Sequence, residues 1–358
     1  MDDELVKARN FARTVRYSED TLTADESIKI ENTEIDAFFS LNSIHVTPLV
    51  TPVIFKSIDK VIKRLQIPPS SIKAYVYASP EIQATCYAGN DVDCVIRLSS
   101  GLIDILENNE LEFVIGHEIG HFLYSHGLAA SLNSNYNESL EFSIKQRAQE
   151  ISADRIGLLA SESLDASIRA MMKTISGLTT KYLKFNIAAF LSQLSNTAKY
   201  KSQISINSSH PSWLIRCRAL LWFSMSETFK SGEKNYQPNE IDKLNTKIQS
   251  DIHKYIDSLA YEKIDELKKD VEMWLAVSMI VEDGSFNSDE QVVFKEMFGQ
   301  NSLEKLKTFL SSHDSASAAK KSVSKKLEYS MKILYSTIPI SFESEMELLE
   351  KKIKTNFS

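Results

Sequence analysis

Glycine and proline are scarce in this chain, at 10 and 8 of 358 residues. So few helix breakers argue against a turn-dense architecture and for a mainly helical one. Cysteine is scarcer still. Cys86, Cys94 and Cys217 are an odd number without metal-type spacing, which excludes a disulfide framework and suits a reducing compartment. Positive charge is not in excess: 41 Lys and Arg face 48 Asp and Glu, a formal charge of −7, which speaks against nucleic acid as the main partner. No window approaches the roughly 18 to 20 uninterrupted apolar residues that an integral membrane segment needs. The start, Met1-Asp2-Asp3-Glu4, has no basic region leading into an apolar stretch, so no secretory signal is expected and the expected localisation is cytoplasmic.

What is present is the ordinary balance of a soluble globular protein, 43% apolar and 25% charged residues, long enough for one large or two modest domains. Residues 1–50 open with an amphipathic stretch (Leu5, Ala8, Phe11, Ala12, Val15) and read as an N-terminal helical arm. Val53, Ile54, Ile58, Val61, Ile62 and Leu65 recur near a 3.6-residue period and predict a helix over 52–66, ended by Pro68 and Pro69. Three short β-branched or aromatic runs, 72–78, 82–88 and 94–98, predict one small sheet. After Ser100-Gly101 nearly everything reads as helix, broken by polar connections near 131–137, 202–211 and 231–238. The expected fold class is therefore mainly α with a small β-sheet (α+β). A catalytic domain over 51–230 and a C-terminal helical domain over 238–358 are the expected divisions.

The segment His117-Glu118-Ile119-Gly120-His121 carries the chemistry. On a helix, imidazoles four residues apart share one face and can meet a single metal ion. Glu118 then sits beside the open coordination position, where it can take a proton from metal-activated water. A catalytic zinc wants a third protein ligand, and Glu150, on a second predicted helix, is the candidate. Asp154 lies one turn beyond Glu150 and is suited to accept the remaining ring N–H of a liganding histidine. The site implies one Zn2+ per chain.

His-Glu-Ile-Gly-His followed by Glu-x-x-Ala-Asp resembles the zinc metallopeptidases that include the CAAX prenyl protease and heat-shock protease X, in the gluzincin group. The strand and helix start Ile96-Arg97-Leu98-Ser99-Ser100-Gly101-Leu102-Ile103, the later His126, and Ser209-His210-Pro211 with Arg216 are similar to family features in the same order. The resemblance implies a zincin-like core with His117, His121 and Glu150 as ligands, Glu118 as general base and Asp154 as their orienter. It further implies His210 facing the substrate carbonyl, supported by Arg216. It also implies that an edge strand, Cys94, Val95, Ile96, Arg97 and Leu98, pairs with an extended polypeptide substrate. His126 reads as a buried structural histidine. Two departures stand out: Thr85-Cys86-Tyr87 replaces the family's Asn-Ala-Phe segment, and the transmembrane helices of many relatives are missing, so a soluble endopeptidase is expected.

Beyond residue 238 the helical array contains Asp283-Gly284, whose surroundings resemble an EF-hand loop but lack its regular ligand positions and its bidentate Glu, which argues against calcium. The pattern is more similar to tellurite-resistance B-like domains, and equally consistent with a sharp turn before a helix capped by Asn287 or Ser288. Trp213, Trp222 and Trp274, with Met171, Met172 and Met279, read as core. A second functional reading is a latent or regulatory zinc-binding module whose helical C-terminal part recruits protein partners.

Overall fold

In the computed structural model, residues 3–18, 20, 35–87, 94–126, 139–197, 212–231, 237–252, 258–282 and 286–357 are described. Met1–Asn133 with Ile144–Ile256 forms one unit, and Ser134–Ser143 with Asp257–Ser358 a second.

The first unit begins with helix α1 (Asp3–Val15), α2 (Ile35–Asn42), a short strand β1 (Ile44–His45) and α3 (Pro52–Arg64). In α3, Pro52 occupies the first turn, where its missing N–H costs nothing, and Ser57, Ile58, Val61 and Ile62 form the buried stripe. Strands β2 (Ile72–Tyr77), β3 (Ala84–Tyr87) and β4 (Cys94–Ser99) follow. The four strands lie in the order β1-β2-β4-β3. β2 and β4 run parallel, with Ile72 opposite Cys94, while β3 pairs antiparallel with β4, with Cys86 opposite Ile96. This corrects one expectation: Cys94, Val95, Ile96, Arg97 and Leu98 form an interior strand, paired on both sides, not an edge. Their backbone hydrogen bonds are already spent on β2 and β3, and Cys94, Val95, Ile96 and Leu98 are fully buried. The sheet ends instead at β1 and β3.

Helices α4 (Ser100–Ile105), α5 (Asn108–Leu123), α6 (Leu140–Ser161), α7 (Leu164–Ser176), α8 (Ile187–Thr197), α9 (Trp213–Ser224), α10 (Glu227–Ser231) and α11 (Pro238–Ile252) complete the unit, with the first turn of α6 belonging to the second. α5 starts at a reciprocal capping box between Glu107 and Glu110 and is buried along most of its length, Glu110, Glu112 and His117 included. Its buried acids are matched from neighbouring helices. Glu112 meets Lys60 at 2.8 Å and Arg64 at 2.5 Å, and Glu110 meets Lys173 at 2.7 Å. Two glycines of α5 let α6 approach: a Cβ on Gly116 would lie 2.3 Å from Ala160 Cβ, and one on Gly120 3.0 Å from Ala153 Cα. Only a bare backbone fits there. The ends of this unit differ from the expected divisions, because α1 buries Leu5, Ala8, Ala12 and Val15, and α11 buries Ile241, Leu244, Ile248 and Ile252, in its core. Amphipathic faces of that kind are covered by the body rather than left as an arm.

The second unit holds α12 (Ser258–Ile280), α13 (Ser288–Phe298), α14 (Gln300–Ser311), α15 (Ala316–Thr337) and α16 (Phe342–Phe357). Its own core contains Val277, Ile280, Phe294, Leu303, Leu306, Val323 and Ile353. Asn287 caps α13 through its side chain in a capping box with Glu290. The Asp283-Gly284 turn lies outside the described residues.

Among the described residues no helix is long and apolar enough to cross a membrane. Trp213, Trp222 and Trp274 are half-buried, each under a cation: Arg216 at 4.3 Å, Lys247 at 4.2 Å and Lys326 at 5.1 Å respectively.

Candidate metal centre

His117 and His121 stand one turn apart on α5, and the close approach of α6 brings Glu150 to them. Their ligand atoms lie within 4.8 Å of one another. His117 Nε2 and His121 Nε2 are 3.0 Å apart, and the Glu150 oxygens lie 3.5 Å from each ring. Both Nε2 atoms therefore face one point with the carboxylate. Asp154, one turn further along α6, reaches His117 Nδ1 at 3.0 Å. A carboxylate only accepts, so its nearness favours the proton on Nδ1 and the Nε2 lone pair facing the centre. Arg216, on α9, grips Asp154 with two hydrogen bonds of 2.8 and 2.6 Å and reaches Glu150 Oε2 at 2.8 Å. Its bidentate fork fixes both acids of α6 at once.

The electrostatics follow from this packing. Burial by itself would lower the pKa of His117, but Asp154 and Glu150 outweigh it and raise it. Among the described residues, no acid touches the outer side of the His121 ring directly. Burial, together with the neighbouring His117, holds its pKa well below the usual histidine range, so the ring stays neutral and able to donate a lone pair. Glu118 is raised to about 7, mainly by burial and also by Glu150, against His117, Arg216 and a backbone hydrogen bond from Cys86. That bond places the Glu118 carboxyl against β3. On the same strand Cys86 Sγ lies 2.9 Å from Cys94 Sγ, and its pKa is pushed up by the shared hydrogen bond and by burial.

The structure thus brings His117, Glu118, His121, Glu150, Asp154 and Arg216 together. Arg216, expected behind the ligands as a support for His210, sits on the acids of α6, a contact that the sequence reading did not name. His210 lies outside the described residues. The His126 side chain is enclosed, as expected, but its partners were not foreseen: His121 on one side and Asp20, 106 residues away in sequence, on the other. No local signal marks a single aspartate beyond α1 as a neighbour of α5. Two imidazoles and a carboxylate converging from two helices can hold a divalent metal while leaving coordination positions open.

Residues 48–144 match the model of Peptidase family M48. The plastoglobule-localized metallopeptidase 48 of Arabidopsis thaliana is 25% identical over 182 residues, 44% of this chain and 53% of that relative. The Escherichia coli (strain K12) metalloproteases YcaL and LoiP are 37% identical over 76 residues and 38% over 63. Those two matches cover 21% and 17% of this chain, and 28% and 23% of the relatives. The chain thus spans about half the length of the first relative and about a quarter of the others. No solved structure matches it significantly. The family match takes in His117, Glu118 and His121 but stops before Glu150. These likenesses support a metallopeptidase, one whose stretch 48–144 is similar to peptidase family M48.

Proposed function

We propose that this chain is a zinc-dependent endopeptidase with a zincin-like core, acting on extended or unfolded polypeptide. The observation that carries it is the convergence of His117, His121 and Glu150 with Glu118 at their side. Two imidazoles and one carboxylate are a donor set that catalytic zinc takes, with the remaining position open to water or substrate. The 3.0 Å between the two Nε2 atoms is near the ~3.4 Å expected of two ligands around one zinc. When bound, zinc would polarise the substrate carbonyl and make water more acidic.

The residues of the chain supply the rest. Glu118 takes the proton of the attacking water and passes it to the leaving amine, a role matched to a carboxyl held near neutrality by burial. Asp154 orients His117, and Arg216 keeps Glu150 and Asp154 in place. The peptide lies along β3, the open edge of the sheet beside Glu118. Gln83 O already accepts from Ser99 N, so by strand alternation Ala84 turns its amide outward, while the Cys86 amide on the same side donates to Glu118. His210 is proposed to face the carbonyl oxygen in the complex.

The test compares metal content and cleavage of an unfolded protein such as casein for wild type, Glu118→Gln and Ala84→Pro. About one zinc in each, with cleavage lost in Glu118→Gln by at least about 100-fold, is the expected result. Ala84→Pro removes one outward amide and should weaken cleavage while keeping the metal. Absence of zinc from wild type would overturn the reading. Undiminished cleavage by Glu118→Gln would remove Glu118 from the mechanism.

A further inference from the structure

The outer side of His121 is served by a chain of groups that ends in the N-terminal segment. His126 follows α5, where Ser125 adopts φ 56 and the His126 amide donates to His121 O at 2.9 Å. This tight turn folds the His126 ring back onto the ligand helix. Its Nδ1 lies 2.8 Å from His121 Nδ1, and its Nε2 lies 3.0 Å from Asp20 Oδ2. Both His126 and Asp20 side chains are almost fully enclosed.

The segment that carries Asp20 is fastened to the helices of the site at several points. Tyr124 Oη donates to Ala12 O at 2.8 Å, and Arg155 Nη1 to Val15 O at 2.8 Å. The Tyr17 amide donates to Ser152 Oγ at 3.1 Å, and Arg16 holds the other oxygen of Asp20 at 3.0 Å. Tyr124 also stacks on His126, with ring centroids 5.3 Å apart.

The chemistry of these groups fixes the protons in one order. Ionised Asp20 can only accept, so His126 carries its proton on Nε2. With its proton on Nε2, His126 offers a lone pair at Nδ1, which accepts the Nδ1–H of His121. His121 is left with its lone pair on Nε2, the atom that faces His117 and Glu150. Remove Asp20, and His126 can hold its proton on Nδ1 instead. That tautomer opposes the Nδ1–H of His121 and favours a proton on its Nε2, where it blocks a metal.

We propose that Asp20 and His126 are positioning residues for the metal ligand His121, so that the N-terminal segment is a working part of the metal centre. The inference rests on His117, His121 and Glu150 being the ligands, and it gives His121 a counterpart to the Asp154 that serves His117. The relay spans 106 residues and lies outside the ligand set itself.

The test uses the full chain: wild type, His126→Leu, His126→Asn, Asp20→Ala and, as the ligand control, Glu150→Gln. Zinc affinity is read by chelator competition, ligand-field geometry by the visible spectrum of the Co2+ form, and folding by unfolding of the metal-free proteins. His126→Leu and Asp20→Ala should lose zinc affinity roughly 10- to 100-fold and shift the Co2+ spectrum. His126→Asn, whose side-chain carbonyl can accept from His121 Nδ1–H, should recover most of that loss. Folded Leu and Ala variants with wild-type affinity and spectrum would overturn the proposal. So would a loss that His126→Asn does not relieve. A measurement on unmutated protein stands apart from any folding defect: nitrogen-15 histidine spectra of the zinc-loaded wild type should show His126 protonated on Nε2 and His121 on Nδ1. The opposite tautomers overturn the proposal even if no variant folds. Failure of the site itself reads differently: wild type would bind no zinc, or Glu150→Gln would bind it undiminished, and the ligand assignment would then fall together with the relay.

Discussion

Glu118 sits in an environment that disfavours its charge. Its carboxyl is raised to about 7 because burial disfavours the charged form, with Glu150 adding to the effect. The consequence for the metal-free protein has a definite sign. A carboxyl whose folded pKa lies above its unfolded value stabilises the fold at low pH, and that contribution is lost as pH rises through about 7. Glu118→Gln cannot ionise, so in chelator it should gain stability relative to wild type between pH 5 and pH 8. The gain is up to about 3 kcal/mol, since Glu118 keeps a partly open side. Denaturant unfolding at the two pH values checks this; a difference independent of pH would show that the carboxyl is not desolvated. The remaining residues of the centre divide the work of orientation. Asp154 and Arg216 are proposed for the His117 side, and His126 with Asp20 for the His121 side.

The pair α5 and α6 is the element that makes a site from separate motifs. His117 and His121 need only one helical turn between them, but Glu150 arrives only because the two helices nearly touch at Gly116 and Gly120. Gly116→Ala puts a methyl group 2.3 Å from Ala160 Cβ, inside any real contact distance. Separating the helices to relieve it should cost about 1 to 3 kcal/mol of stability. It should also weaken zinc binding more than the loss of stability alone explains, because Glu150 moves away with α6. Stability by denaturant and zinc affinity by chelator competition, measured on the same preparation, separate the two effects. Wild-type values for both would mean that the approach is looser than the packing implies. The other decisive element is the sheet. β4 carries the sequence features of a substrate strand, yet its place between β2 and β3 leaves β3 as the edge beside Glu118.

At the scale of the whole molecule, each unit has its own core, and His117, His121, Glu150, Asp154 and Arg216 all fall in the first. Zinc should therefore stabilise the first unit, by about 2.7 kcal/mol at a free concentration a hundred times Kd. In calorimetry the transition that carries this unit should rise with zinc and fall back with chelator; transitions indifferent to the metal would place its binding elsewhere. Much of this was legible in the chain. The helical character, the strand-like runs at 72–78, 82–88 and 94–98, the helix beginning at Pro52 and the pairing of His117 with His121 follow from helical periodicity and from short β-branched or aromatic runs, which local sequence carries directly. Glu150 and Asp154 were legible because they share one helical face and because a motif upstream demanded a partner. The interior place of β4, the burial of α1 and α11 in the first unit, the grip of Arg216 on the acids of α6 and the meeting of Asp20 with His126 were decided only by the tertiary structure. Strand order and contacts across 106 residues depend on how whole faces are buried against one another, and no local pattern of residue types encodes that choice.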